Sequence, residues 1–345
     1  MDKELLTTEI EHFNIKTFNA VDMVDQFSKM AIQSRNLAVA AKIYEEMLLD
    51  TNNTVILTLA GSLFSAGLKQ VVIDMMENTM VDVIVSTGAN IVDQDFFEGL
   101  GFKHYRGDAK ADDDELFKKG IDRIYDTYIS EDELRVCDET IKKIAAYLEP
   151  RPYSSREFIY EMGRHLSDQN PATKSVVQTA FEKDIPIFVP AFSDCSAGFG
   201  LVAHQWERKD LPKVSIDSVK DFLELTQIKI NSNDTGLFMI GGGVPKNFAQ
   251  DIVVSAELLG EEVKLHKYAI QVTVADERDG ALSGSTLKEA HSWGKVSEEN
   301  EAMVFCEATV GVPIIASYAY HKGAWKDRSE RRLNKLFEKK ETISS

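Results

Sequence analysis

Gly236-Leu-Phe-Met-Ile240-Gly241-Gly242-Gly243-Val244-Pro245 is the stretch whose reading decides the fold. Its first five residues make an apolar run of strand length. Three glycines follow, and then Pro245, which suits the first turn of a helix because its missing N–H is one of the donors a helix start leaves unbonded. The helix is expected to run from Pro245 to Leu259. A continuous apolar strand that feeds a helix belongs to a parallel sheet covered on both faces. Glycines at such a turn let the backbone approach a phosphate, and the helix start supplies N–H donors. The triplet is not G-x-G-x-x-G, so a tight turn without a ligand is the competing reading.

The same alternation extends in both directions. Val21, Val24, Phe27, Met30 and Ala31 have helical spacing within residues 20–49. Val55-Ile-Leu-Thr-Leu59 reads as a strand before Gly61-Ser62, residues 63–78 as a helix, and Met80–Val85 as a second strand. Helices are expected over 112–128 and 131–148, a break at Pro150 and Pro152, and a helix over 154–166 ended by Asn170-Pro171. Ile185–Val189 is a strand, 215–229 a helix, Tyr268–Val274 a strand and Met303–Cys306 a short one. The charged tail after Trp325 is expected as a solvated helix. With no repeat and no linker, one domain over residues 1–345 is expected. Its class is α/β, a doubly wound, mainly parallel sheet.

The 345 residues carry a net charge of −17, which disfavours nucleic acid and suits a cationic small substrate. Acidity for solubility alone is an equal reading. No run approaches the ~20 apolar residues that span a bilayer. The N-terminus lacks a secretion pattern, and Cys137, Cys195 and Cys306 show no CxxC spacing. A reducing cytoplasm is therefore expected. No histidine has trusted metal-ligand spacing with a carboxylate, so no metal is expected.

Candidate chemistry sits at the strand ends and in one lysine loop. Strands of doubly wound sheets bind ligands at their C-termini. There stand Thr87-Gly88-Ala89-Asn90 with Asp93, Asp194-Cys195-Ser196, Thr273-Val274-Ala275-Asp276 and Cys306-Glu307-Ala308. The loop Glu289-Ala-His-Ser-Trp293-Gly-Lys295 puts a lysine two residues after a tryptophan. Apolar walls disfavour a charged amine, and a neutral lysine can form an imine. A solvated surface lysine is the common alternative.

Four blocks together are similar to the deoxyhypusine synthase family. They are Ser292-Trp293-Gly294-Lys295 with Glu289, Ile240-Gly241-Gly242-Gly243-Val244, Pro190-Ala191-Phe192-Ser193-Asp194, and Met80-Val-Asp-Val-Ile-Val-Ser-Thr87. They follow the family's order between about residues 55 and 315. The resemblance implies a Rossmann-like NAD-binding fold. It implies that Ser65, Thr87, Gly88, Asp93, Asp194, Gly241, Gly242, Gly243, Ala275 and Glu307 hold NAD. It implies that Lys295 carries an aminobutyl group as an imine from spermidine to a protein lysine, giving hypusine's precursor. Trp293 would line the tunnel, and Glu289 would pair with a substrate amine. A homotetramer with sites between paired subunits is also implied.

The sequence departs from that pattern around the substrate. Phe199 and Leu282 stand where the family has aspartates, Asn247 where it has histidine, and Asp251 where it has asparagine. Ser283 of the lysine loop is retained. Gly61-Ser62 replaces a Ser-Asn pair, Asp93 a longer acid and Glu307 a shorter one. These changes imply that the chemistry is kept and the polyamine pocket altered. Transfer to a free amine, as in homospermidine synthases, is the second reading, and an NAD-binding protein without turnover is the third.

Overall fold

The computed structural model describes residues 5–169, 173–278, 286–297 and 300–338. Its centre is a six-stranded sheet: β1 (Asn53–Leu59), β2 (Val83–Ser86), β3 (Ile187–Phe188), β4 (Asp234–Ile240), β5 (Tyr268–Thr273) and β6 (Glu301–Phe305). The strand order is β3-β2-β1-β4-β5-β6, and every neighbouring pair is parallel. The order reverses between β1 and β4, so the chain leaves their C-terminal ends towards opposite edges of the sheet.

The apolar runs explain why both faces are covered. Successive side chains of a strand point to opposite faces. Val55, Leu57 and Leu59 enter a core with α1 (Ile32–Leu49), α2 (Lys69–Glu77) and α11 (Ala308–Lys322). Ile56 between them enters a second core with α7 (Ser218–Ile230), α8 (Gly243–Gln250), α9 (Ile252–Leu258) and α10 (Leu287–Ser292). The helices α3 (Glu131–Tyr147), α4 (Ser155–Gln169), α5 (Val176–Lys183) and α6 (Ser196–Arg208) lie between β2 and β4 in sequence. The α/β class and the mainly parallel sheet are as expected. Among the described residues, no helix is long and apolar enough to cross a membrane.

Four expectations need correction. Residues 112–128 are not one helix. A short helix, Asp113–Lys118, ends at Gly120 (φ +65), and the hairpin Ile121–Ile124 with Thr127–Ser130 follows in a three-stranded sheet with Tyr105–Arg106. The hairpin turns through Tyr125 at φ +53. The helix of residues 20–49 is two, Val21–Phe27 and α1, parted near Ile32 at φ +58. The helix of residues 245–259 is also two, α8 and α9, which meet at Asp251. The tail is not a solvated helix either. Arg328 Nη2 lies 2.5 Å from Asp82 Oδ2, and its guanidinium donates to the carbonyls of Thr79 and Asn53. That buried pair pins the tail beneath the N-terminal ends of β1 and β2. The turn at Asn170-Pro171 lies outside the described residues.

Candidate active site

The triplet turn is built by two left-handed glycines. Gly241 has φ +72 and Gly243 φ +66, conformations that cost other L-residues about 1–2 kcal/mol. Gly241 N–H donates to Val272 O at 2.8 Å, and Ala60 N–H donates to Ile240 O at 3.0 Å. A Cβ on Gly241 would meet Ala60 Cβ at 2.8 Å, whereas one on Gly243 would meet open space. Gly241 is thus required by packing, and Gly243 faces a cavity.

That cavity, of about 670 Å3, opens at the C-terminal ends of β1, β2, β4 and β5 and after β3. Thr87, Gly88, Asp194, Gly242, Gly243 and Ala275, six of the expected cofactor residues, line it. Ala60, Gly61, Ser62, Pro190 and Ala191 complete the walls with Val244 and Pro245 from α8. Thr87 Oγ1 donates to Gly61 O at 2.9 Å and so ties the ends of β1 and β2 together. Gly88 admits Cys195, whose Sγ would lie 2.5 Å from a Cβ at that position.

The remaining expected cofactor residues do not line the cavity. Ser65 is buried, and its N–H donates to Gln94 Oε1 at 2.8 Å. Asp93 Oδ1 accepts from Ser196 N–H at 2.7 Å and so supports the start of α6. Burial pushes its carboxyl up to about 6, with the charges of Asp138 and Asp194 adding to the rise. Glu307 caps α11 by accepting from Thr309 N–H at 2.8 Å. The sequence reading missed Ser86, which lines the cavity; its buried hydroxyl has no hydrogen-bond partner among the described residues. Its signal was available, since it ends the apolar run of β2.

The lysine loop forms a second site. Lys295 Nζ lies 2.5 Å from Asp251 Oδ1 and 5.3 Å from the centroid of the Trp293 ring. The expected apolar walls are therefore replaced on one side by a carboxylate. Trp293 is 72% exposed, so it is not a core aromatic. Phe222, Val254, Ser255 and Leu258 complete a groove of about 380 Å3 around this pair. Glu289 closes a capping box on α10 by accepting from Thr286 N–H at 2.6 Å. Phe199 is 69% exposed on the first turn of α6 and lines neither space. Asn247 lies on α8, four residues before Asp251. Leu282 and Ser283 lie outside the described residues.

One helix joins the two sites. The N-terminus of α8 lines the cavity, and Asp251 at its C-cap holds Lys295. Eight residues at ~1.5 Å each separate them by about 12 Å. Between them Lys246 is fully buried, and burial pulls its ammonium down to about 8.

A sequence model of deoxyhypusine synthase matches residues 22–319. A deoxyhypusine synthase-like protein from Chlorobaculum parvum is 63% identical over 336 residues, which are 97% of this chain and 96% of that protein. One from Elusimicrobium minutum is 64% identical over 321 residues, 92% of this chain and 85% of its own. A crystal structure of a proposed deoxyhypusine synthase from Entamoeba histolytica shares the fold with a TM-score of 0.61 at 20% identity, over 90% of this chain and 97% of that one. With the glycine turn, the strand-end cavity and the Trp293–Lys295 loop all in the matched span, the chain belongs to the deoxyhypusine synthase family.

Proposed function

We propose that this protein is an NAD-dependent amine transferase that carries an alkylamine group as an imine on Lys295. The observation that carries the reading is the pairing of a strand-end cavity with a lysine groove through α8. The strand order β3-β2-β1-β4-β5-β6 is that of Rossmann dinucleotide-binding sheets, and the cavity lies where that order reverses.

The residues present fit NAD. Gly242, Gly243 and Val244 at the start of α8 line the cavity, and a helix start supplies unbonded N–H donors for an anion. The Ser86 hydroxyl is a buried group in need of a partner, and Asp194 offers an acceptor for a ribose hydroxyl. When bound, NAD supplies the oxidation and re-reduction of the amine carbon.

The chain's own residues supply the rest. Lys295 adds through Nζ to the carbon of an iminium and expels the departing amine. Asp251, 2.5 Å away, accepts the proton that Lys295 must lose, and the departing amine takes one up. The Trp293 face holds an alkylammonium by cation–π attraction, worth ~1–2 kcal/mol. In this reading Glu289, exposed on α10 just before the loop, pairs with a substrate amine.

Asn247 in place of histidine favours an amine other than unmodified spermidine. Transfer to a free amine rather than a protein lysine is the second reading. A homotetramer is consistent with α6, which exposes Phe199, Val202 and Trp206 at helical spacing.

The test is mass spectrometry of the protein incubated with NAD and a panel of di- and polyamines, then reduced with borohydride. An adduct on Lys295 that is absent from Lys295→Arg is the expected result. Bound NAD with no adduct for any amine would overturn the transferase reading and leave NAD binding without turnover.

A further inference from the structure

His266 touches both the lysine loop and α8. It stands two residues before β5 and is fully buried. Its backbone brackets the peptide after Lys295. His266 N–H donates to Lys295 O at 2.9 Å, and His266 O accepts from Ser297 N–H at 3.0 Å, as in a parallel strand pair with Val296 opposite. Val296 is buried in one cluster with Ala249 of α8. The ring of His266 also reaches α8, where its Nε2 lies 3.2 Å from Ala249 O. Ala249 is in the last turn of that helix, two residues before Asp251. One residue therefore holds the carbonyl of Lys295 with its main chain and the helix end that carries Asp251 with its side chain.

The other ring nitrogen fixes where the proton sits. His266 Nδ1 lies 2.8 Å from Thr235 Oγ1, and Lys229 Nζ donates to that oxygen at 2.6 Å. All three side chains are buried. A carbonyl can only accept, so Nε2 carries its proton towards Ala249 O. A second proton on Nδ1 would set two cations on one buried hydroxyl, which is costly. Nδ1 therefore accepts from Thr235. The bonds run one way, from Lys229 to Thr235, from Thr235 to His266, and from His266 to Ala249. Burial first, and the charge of Lys229 second, hold the imidazole well below the usual histidine range, in agreement with a neutral ring.

We propose that His266 is a positioning residue that ties the last turn of α8 to the lysine loop and so sets the contact between Asp251 and Lys295. Resting on the reading of Lys295 as nucleophile, this gives a task to a residue that lines neither the cavity nor the groove. Lys295 Nζ must meet its substrate carbon while Asp251 Oδ1 stays 2.5 Å away to take its proton. The two groups arrive on different elements, Asp251 at the C-cap of α8 and Lys295 on the loop after α10. A misplacement of ~1 Å at a reacting group costs about a hundredfold in rate. The donor on His266 Nε2 and the backbone pair on either side of Val296 are what hold the two elements in register.

Hydrogen exchange and adduct formation test this on the full-length protein. In the parent, the amides of residues 247–251 and 295–297 should open as one unit, with protection within about threefold of each other. His266→Phe keeps a ring but removes the donor to Ala249 O. It should speed exchange at residues 295–297 by about tenfold or more. At saturating NAD and amine, it should slow formation of the borohydride-trapped adduct on Lys295 by roughly tenfold to a hundredfold. The Kd for NAD should stay within about twofold, since the tie is at the far end of α8 from the cavity. His266→Gln restores an N–H donor and should bring exchange and adduct rate to within about threefold of the parent. A general loss of structure would weaken NAD binding as well and would not be rescued by glutamine. Unrelated exchange rates for the two segments in the parent overturn the proposal whether or not the variants fold. So does a parental adduct rate in a folded His266→Phe, or a glutamine variant as slow as the phenylalanine one. If the parent forms no adduct with any amine while exchange follows the expected pattern, the transferase reading falls and the tie between α8 and the lysine loop stands.

Discussion

Replacing Gly241 and Gly243 one at a time separates packing from binding at the triplet. Each sits at positive φ, where alanine costs about 1 kcal/mol of backbone strain. At Gly243 nothing in the protein lies within 4 Å of a new Cβ, so strain is the whole stability cost. Unfolding entropy of ~2.1 cal/mol/K per residue over 345 residues gives ~0.7 kcal/mol/K. Gly243→Ala should therefore lower Tm by only about 1–2 °C. At Gly241 the Cβ would meet Ala60 Cβ at 2.8 Å, which adds an overpacking cost of roughly 1–3 kcal/mol and a fall of about 3–6 °C in all. The order reverses for the ligand. The Gly243 methyl enters the cavity where the backbone would meet phosphate, so NAD affinity should fall at least tenfold, about 1.4 kcal/mol. Titration calorimetry and a thermal melt on both variants decide the matter. Parental NAD affinity in a folded Gly243→Ala would refute the placement of a pyrophosphate at the start of α8.

Three further outcomes follow from the geometry. Arg328→Ala should destabilise the protein by about 3–5 kcal/mol, because it leaves Asp82 as a buried carboxylate with only the more distant Arg331 beside it; chemical denaturation reads this directly. Burial raises Asp221 to about 7 from a carboxylate's ordinary value, and its Oδ2 has no hydrogen-bond partner among the described residues. The folded state therefore holds a proton that the unfolded state releases, so this group's contribution is present at low pH and lost as pH rises from about 4 through 7. Asp221→Asn should flatten the fall in Tm over that window, and an unchanged pH profile would exclude the assignment. Phe199→Asp should strengthen spermidine binding only modestly. At 69% exposure an added carboxylate is solvated, and its pair with an ammonium contributes at most ~1 kcal/mol, about fivefold in Kd by calorimetry.

The sequence by itself determined the sheet and the family. Apolar runs such as Val55–Leu59 and Gly236–Ile240 are buried on both faces, so their hydrophobicity is continuous and legible without a partner strand. The glycines of the triplet announce a turn because positive φ and close approach exclude a side chain whatever the surroundings. Much of the cavity lining was legible for the same reason, since strand ends in a parallel sheet converge. Tertiary structure alone decided the charges. Nothing in Asp251 or Lys295 taken singly says that they pair, and nothing in Lys246 marks it as fully buried. Asp93 and Glu307 resemble ribose acceptors in sequence, yet the helix starts beside them take their oxygens. The tail reads as solvated because it is charged, yet Arg328 reaches Asp82 across 246 residues. Burial and pairing of polar groups depend on which distant segments arrive beside them, and local pattern carries that information only for apolar side chains, whose burial needs no specific partner.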